Sequence, residues 1–184
     1  MIKDFQDYAE YAIALHSSLH ERDRLFSTLA IVNEVSTIIY LINSSHVPRQ
    51  KTDKYIKQSI KTILWHLFWL SFWNGRLIDL ELDTSKEEFV DPLLRRGQAK
   101  DAIASIFQES MLLLRQIKHE EFYGIEIDRL EADKSIQKIG KSLIPVCSML
   151  KLDVGELAIA SILAHGKKRS NLIIKWEKLI DENF

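Results

Sequence analysis

The stretch that decides the fold is DKYIKQSIKTILWHLFWLSFW, residues 53–73, which is followed at once by Asn74 and Gly75. Its apolar residues recur every three or four positions, and an Asn-Gly pair commonly ends a helix. The stretch therefore predicts one long helix. Its most apolar part, Ile63 to Trp73, is about half of the ~20 residues that a membrane span requires. We expect it to be a buried helix or an interface between copies of the chain.

The same apolar spacing continues on both sides of this stretch. Only 6 Gly and 3 Pro occur among the 184 residues, and no β-like alternation is visible. These features predict an all-α fold, a helical bundle. The predicted helices cover residues 5–19, 23–42, 53–73, 98–118 and 132–150, then a short helix capped by Asp153 and a last one that includes residues 173–180. Residues 75–96 predict an irregular connection.

Composition and charge restrict the possible functions. Apolar residues make up 46% of the chain, so it can bury a sizeable core without disulfides, and its single Cys147 predicts a buried thiol. The formal net charge is −1, with Lys and Arg spread along the sequence, which favours neither a nucleic acid nor a membrane as partner. Met1 precedes the polar residues 3–7, unlike a secretory leader. We expect a soluble, cytoplasmic protein.

One helical pattern occurs twice, in residues 29–37 with 59–65 and again in residues 103–112 with 138–143. This layout resembles the MazG-like nucleotide pyrophosphohydrolases, an all-α family whose motif is EExxE on one helix and ExxD on the next. Residues 138–158 are similar to the family's second motif helix and the turn and helix after it. The resemblance implies two pseudo-symmetric halves, 1–76 and 98–184, joined by a connection at 77–97.

The acids of that motif are almost entirely replaced in this chain. The positions that align with them are Asn33, Glu34, Thr37, Ser59 and Thr62 in the first copy and Gln108, Glu109, Leu112, Lys138 and Lys141 in the second. Each copy keeps one acid of five, Glu34 or Glu109. Because Mg²⁺ prefers several anionic oxygen ligands, the resemblance implies a family member that has lost hydrolysis and needs no cofactor. Such a protein would bind a nucleotide or a protein partner.

A nucleotide could be held without metal. Lys138 and Lys141 lie one helical turn apart and could pair with phosphates, while Trp65 could stack on a base. Lys167 and Lys168 follow a predicted helix and could add phosphate contacts. The alternative is that the lysines form a solvated face and that the Trp-rich helix belongs to the core.

Three other interpretations remain open from the sequence. The first is an active enzyme that converts a nucleoside triphosphate to the monophosphate and pyrophosphate with Mg²⁺, using Glu34 and Glu109, with Glu120 or Glu121 as further ligands. The second is a structural module that forms homo-oligomers through the Trp-rich helix 63–73. The third is a transition-metal site at His16 and His20, whose spacing is also that of an ordinary surface pair.

Overall fold

The computed structural model describes residues 23–44, 46, 48–75, 92–161 and 164. They form four long helices, α1 (Asp23–Asn43), α2 (Arg49–Trp73), α3 (Pro92–Tyr123) and α4 (Arg129–Met149), and a short helix α5 over residues 154–161. No strand occurs among the described residues, so the predicted all-α helical bundle is confirmed. The helices predicted at 5–19 and around 173–180 lie outside the described residues.

The four long helices form a bundle in which neighbours are antiparallel. Helix α1 packs against α2 and α3, and α4 packs against α3 and α2. Ser27, near the start of α1, contacts His66, late in α2, while Arg24 contacts Glu120 at the end of α3. The end of α2 likewise meets the start of α4. Helices α1 and α4 therefore begin at one end of the bundle, which we call the Arg24 end. Helices α2 and α3 begin at the opposite end, which we call the Lys54 end.

The core consists of aliphatic side chains from every long helix. Burial of each such side chain contributes about 1.5–3 kcal/mol to folding. The members with no exposed surface include Ile31, Ile60, Ile63, Leu64, Leu67, Leu70, Leu113, Ile117, Ile136, Ile139 and Leu143. Trp65 and Phe68 are each 8% exposed and belong to the same cluster. The prediction that the apolar run of α2 is a buried helix is therefore confirmed at these residues.

Helices α2 and α3 begin earlier than the sequence predicts. Helix α2 starts at Arg49 instead of Asp53, because the carbonyl of Pro48 accepts hydrogen bonds from the backbone of Lys51 and Thr52 at 2.9 and 3.0 Å. Helix α3 starts at Pro92 instead of Gln98. Proline fits the first turn of a helix, where its missing N–H would have no partner. Residues 92–96, which the sequence predicts as irregular, are therefore helical.

The link between α3 and α4 is shorter than its acidic sequence predicts. Helix α3 continues to Tyr123, after which Gly124 takes a φ of 65°. Asp128 then caps α4, since its side chain accepts from the backbone N–H groups of Leu130 and Glu131. Only residues 124–128 are non-helical here. The acidic residues between the two predicted helices, 98–118 and 132–150, are therefore distributed over a helix end, a short turn and a helix start.

Helix α1 is long and apolar enough to meet the length and hydropathy criteria for a membrane span. Among the described residues, Arg24–Asn43 is the segment whose length and hydropathy would allow it to cross a bilayer. The core helix of a soluble protein and a signal sequence pass the same test, and 33% of the most apolar window is buried in the bundle, including Ile31, Val35 and Ile38. The segment therefore does not change the description of α1 as a bundle helix.

Candidate functional site

Glu109, the acid that the second copy of the motif keeps, lies between α3 and α4. It is 7% exposed, and its carboxylate accepts hydrogen bonds from Lys138 Nζ at 2.5 Å and from Ser135 Oγ at 2.9 Å. The Lys138 side chain is 57% exposed, so the ammonium lies at the surface and the carboxylate beneath it. A buried carboxylate needs such compensation because burying an unpaired charge is costly.

This contact brings together two positions that the sequence analysis singled out separately. In the resemblance, Glu109 takes the place of an acid of the first motif helix, and Lys138 takes the place of an acid of the second. Where the resemblance implies two carboxylates, the two helices present one carboxylate and one ammonium, which neutralise each other. A divalent cation at Glu109 would have to displace Lys138, and it would then find a single anionic ligand.

The first hairpin, α1 with α2, has the same register as the second hairpin, α3 with α4. Ser27 Oγ lies 3.2 Å from His66 Nδ1. Since the helices are antiparallel, seven residues forward along α1 correspond to seven residues back along α2, which places Glu34 at the height of Ser59. In the second hairpin the aligned residues Glu109 and Lys138 touch. In each hairpin, the aligned motif residues of the two helices therefore lie at the same level along the bundle axis.

The hydroxyl groups in the first hairpin bond to their own helices. Thr37 Oγ1 donates to the carbonyl of Asn33 at 3.0 Å, and Thr62 Oγ1 donates to the carbonyl of Gln58 at 3.2 Å. Ser59 is buried, and Glu34 is half-buried. Each of these threonine hydroxyls thus donates its hydrogen bond to a backbone carbonyl of its own helix, as is common in helices. The first hairpin therefore offers one carboxylate, surrounded by neutral side chains at the other motif positions.

Two of the candidate nucleotide-binding residues are occupied by other contacts. Lys138 is ion-paired with Glu109, and Trp65 is almost fully buried in the core. Lys141 is exposed and makes no ion pair with the described residues. Lys167 and Lys168 lie outside the described residues, as do His16 and His20. The structure thus does not assemble the predicted phosphate and base contacts among the residues that it describes.

Glu120 and Glu121, the other candidate metal ligands, are both bound by Arg24. Its two terminal nitrogens lie 2.5 Å from Glu120 Oε2 and 3.0 Å from Glu121 Oε1. The Arg24 guanidinium also lies 4.4 Å from the centroid of the Trp73 ring, which is a cation–π contact. This arrangement ties the start of α1 to the ends of α2 and α3. We name it the Arg24 clamp.

Helix α4 joins the same cluster from its first turn. The guanidinium of Arg129 lies 5.6 Å from the Trp73 ring centroid, and the backbone carbonyl of Arg129 accepts from Asn74 Nδ2 at 2.9 Å.

The Arg24 clamp was not predicted from the sequence, although one signal was available. Arg24 is a cation in the first turn of an apolar helix, where the helix dipole disfavours positive charge, so a compensating partner could have been expected.

The remaining acids do not assemble into a metal site. Among the described residues, no three or more His, Cys, Asp or Glu side chains are grouped closely enough to hold a metal ion. The two hairpins keep Glu34 and Glu109 on different helix pairs, and the Arg24 clamp holds Glu120 and Glu121. The acids that the resemblance selects are thus separated from one another or bound by cations.

The buried thiol of Cys147 is an inert part of the core. Burial raises its pKa from 9.0 to about 12, and the negative charge of Asp153 adds to the increase. Because the thiolate is the reactive form, a thiol with this pKa stays protonated and unreactive at neutral pH. The prediction of a buried cysteine is confirmed, and Cys147 supplies no nucleophile.

Comparison of the chain with known protein families, with curated proteins and with solved structures finds no match.

Proposed function

We propose that this chain is a MazG-like helical bundle that has lost pyrophosphohydrolase activity and acts by binding a partner. The observation that carries the proposal is the ion pair between Glu109 and Lys138. It replaces a pair of metal-binding carboxylates by a carboxylate and an ammonium, and hydrolysis by the family's route needs metal ions to activate water and neutralise the leaving pyrophosphate.

The arrangement of the two hairpins supports the family assignment within this proposal. Helix α1 packs antiparallel to α3, and α2 packs antiparallel to α4, which is the arrangement that a two-fold axis between two equivalent hairpins would produce. The aligned motif positions also share one height in each hairpin. Both features are expected if two protomers of a dimeric ancestor were fused into one chain.

The contacts of the candidate residues favour a protein partner over a nucleotide. Lys138 is already neutralised, and Trp65 is covered by the core. In contrast, large apolar side chains are exposed on α3, where Phe107, Met111 and Leu112 are 37%, 43% and 43% exposed. Phe107 and Met111 lie one helical turn apart on the same side of α3, and a contiguous exposed apolar patch is typical of surfaces that contact other proteins.

A hydrolysis assay tests the proposal. The protein is incubated with canonical and modified nucleoside triphosphates in the presence of Mg²⁺ or Mn²⁺, and the products are separated by chromatography. We expect no metal-dependent monophosphate. A thermal-shift series with the same nucleotides, without metal, then asks whether a nucleotide binds; we expect no nucleotide-specific increase in Tm.

Two variants make the assay decisive. Glu109→Gln removes the buried carboxylate, and Glu126→Gln is a matched control in the exposed link after α3. Metal-dependent turnover that Glu109→Gln abolishes and Glu126→Gln preserves would contradict the proposal and establish an active hydrolase. A metal-independent Tm increase that Lys141→Ala removes would establish a nucleotide-binding protein instead of a protein-binding one.

A further inference from the structure

The Lys54 end of the bundle carries a concentration of positive charge that the net charge of −1 does not show. Residues 49–61 of α2 contain five cations and one acid, Asp53. The cations are Arg49, Lys51, Lys54, Lys57 and Lys61. Residues 115–134, toward the Arg24 end, contain six acids and four cations, and Arg24 pairs with two of those acids. The excess of positive charge is therefore local to the first half of α2.

The lysines of α2 form a stripe along one side of the helix. Lys51, Lys54, Lys57 and Lys61 follow one another at intervals of three, three and four residues, which keeps them on one face. At 1.5 Å per residue, the stripe extends over about 15 Å of the helix axis. The first three lysines are exposed and Lys61 is half-buried. None of the four makes an ion pair with the described residues.

The side chains beside this stripe are polar or aromatic. Gln50 and Gln58 are exposed, and Tyr55 is 52% exposed. Tyr40, near the end of α1 and at the same end of the bundle, is 65% exposed. Residues 49–58 contain no exposed Leu, Ile, Val, Met, Phe or Trp, since Ile56 points into the core. A membrane-docking helix would need such apolar residues to enter the lipid interface.

We propose that this face of α2, formed by Lys51, Lys54, Lys57 and Tyr55, binds single-stranded nucleic acid. Lysines in a row pair with successive phosphates and release the counterions bound to them. Tyr55 lies one helical turn after Lys51, at the edge of the stripe, and can stack on an unpaired base, whatever the base is. The proposal does not depend on the loss of hydrolysis, because it concerns a different surface. The sequence analysis expects no nucleic-acid partner because the net charge is −1 and the cations are spread along the sequence. That net charge is a sum over the whole chain and does not show the local concentration of cations on α2.

Fluorescence anisotropy tests the proposal with the full chain and labelled oligonucleotides. The probes are a single-stranded DNA, a single-stranded RNA and a duplex of equal length, measured over a series of salt concentrations. We expect the single strands to bind more tightly than the duplex, with an affinity that falls as salt rises. The comparison of DNA with RNA identifies which phosphodiester polymer is preferred.

Two triple variants with the same net charge locate the site. The first is Lys51→Gln/Lys54→Gln/Lys57→Gln. The control is Arg115→Gln/Lys118→Gln/Lys134→Gln, which removes three exposed cations toward the Arg24 end. We expect the first to lower affinity on the order of tenfold or more and to reduce the salt slope by about two, as the loss of three phosphate contacts requires. The control should behave like the unmodified protein, and both should keep its Tm.

The aromatic contact has its own readout. We expect Tyr55→Ala to weaken single-strand binding by about fivefold or more without changing the salt slope, because stacking involves no counterion release. Tyr123→Ala, which removes a ring that is 65% exposed at the Arg24 end, should have no effect. Absence of single-strand binding at low salt, or equal losses in the two triple variants, would overturn the proposal. Binding to vesicles of anionic phospholipid but not to oligonucleotides would also overturn it and indicate a membrane surface.

Discussion

The two hairpins of the bundle share a register but treat their remaining acid differently. In α1 with α2, Glu34 is half-buried, and the threonines at the aligned motif positions bond back to their own helices. In α3 with α4, Glu109 is buried and bound by Lys138 and Ser135 across the helix interface. An acid that the sequence alone selects as a metal ligand can therefore instead hold two helices in register.

The largest effect should come from the shared core. Ile60→Ala on α2 and Ile139→Ala on α4 empty equivalent, fully buried positions of the two hairpins, and each should lower the free energy of unfolding by about 2–5 kcal/mol. Chemical denaturation followed by circular dichroism measures both. If the hairpins form one cooperative bundle, each variant shifts a single transition; two separate transitions would show that the hairpins are independent domains.

The Arg24 clamp should have the next largest effect. Arg24→Ala leaves two partly buried carboxylates without their cation and removes the contact with Trp73, at a cost of about 2–3 kcal/mol. Arg24→Lys should recover only part of this loss, since lysine cannot contact both carboxylates with a planar fork. Thermal unfolding compares the two. Equal stability of Arg24→Ala and the unmodified protein would contradict the clamp.

The two members of the Glu109–Lys138 ion pair should contribute unequally to stability. Lys138→Ala leaves a buried carboxylate with one remaining donor and should cost about 1–2 kcal/mol. Glu109→Gln leaves an exposed ammonium that water can solvate, so it should cost less. Denaturant titrations of both variants test this order. The reverse order would mean that Glu109 is not the desolvated partner.

The smallest effect should be a dependence on alkaline pH that comes from Cys147. The folded thiol has a pKa of about 12, whereas the unfolded thiol has the ordinary value of 9.0. The contribution of Cys147 to stability is therefore complete well below pH 9 and falls as pH rises above 9, by about 1 kcal/mol between pH 9 and 10. Compared with Cys147→Ala, the unmodified protein should lose stability more steeply between pH 9 and 10. Parallel curves would contradict the raised pKa.

The sequence predicts the helices better than the contacts between them. Apolar spacing locates the helices that contain Ile60 and Ile139, because one buried face is enough to define a helix. The starts of α2 and α3 lie at Pro48 and Pro92 and are missed, because a proline can either interrupt a helix or fit its start. The local sequence is compatible with both possibilities, and the packing of the helices against one another decides between them.

The candidate site is less predictable for a physical reason. The spacing of Glu109 and Lys138 indicates that both lie on motif helices, but it does not state that their side chains meet. Whether a lysine binds a phosphate or an acid of the neighbouring helix depends on the register of that helix. Likewise, Arg24 and Glu120 lie 96 positions apart, and no periodicity relates them.

The central claim is that the ammonium of Lys138 occupies a position where the resemblance to MazG-like proteins implies a metal ligand. The most direct measurement is binding of Mn²⁺, followed by electron paramagnetic resonance, to the unmodified protein and to Gln108→Glu/Leu112→Glu/Lys138→Glu/Lys141→Asp. These four substitutions restore the aligned acids around Glu109 at positions that are all at the surface. We predict no specific Mn²⁺ binding to the unmodified protein and at least one bound ion in the variant. Specific binding by the unmodified protein, or none by a folded variant, would contradict the account.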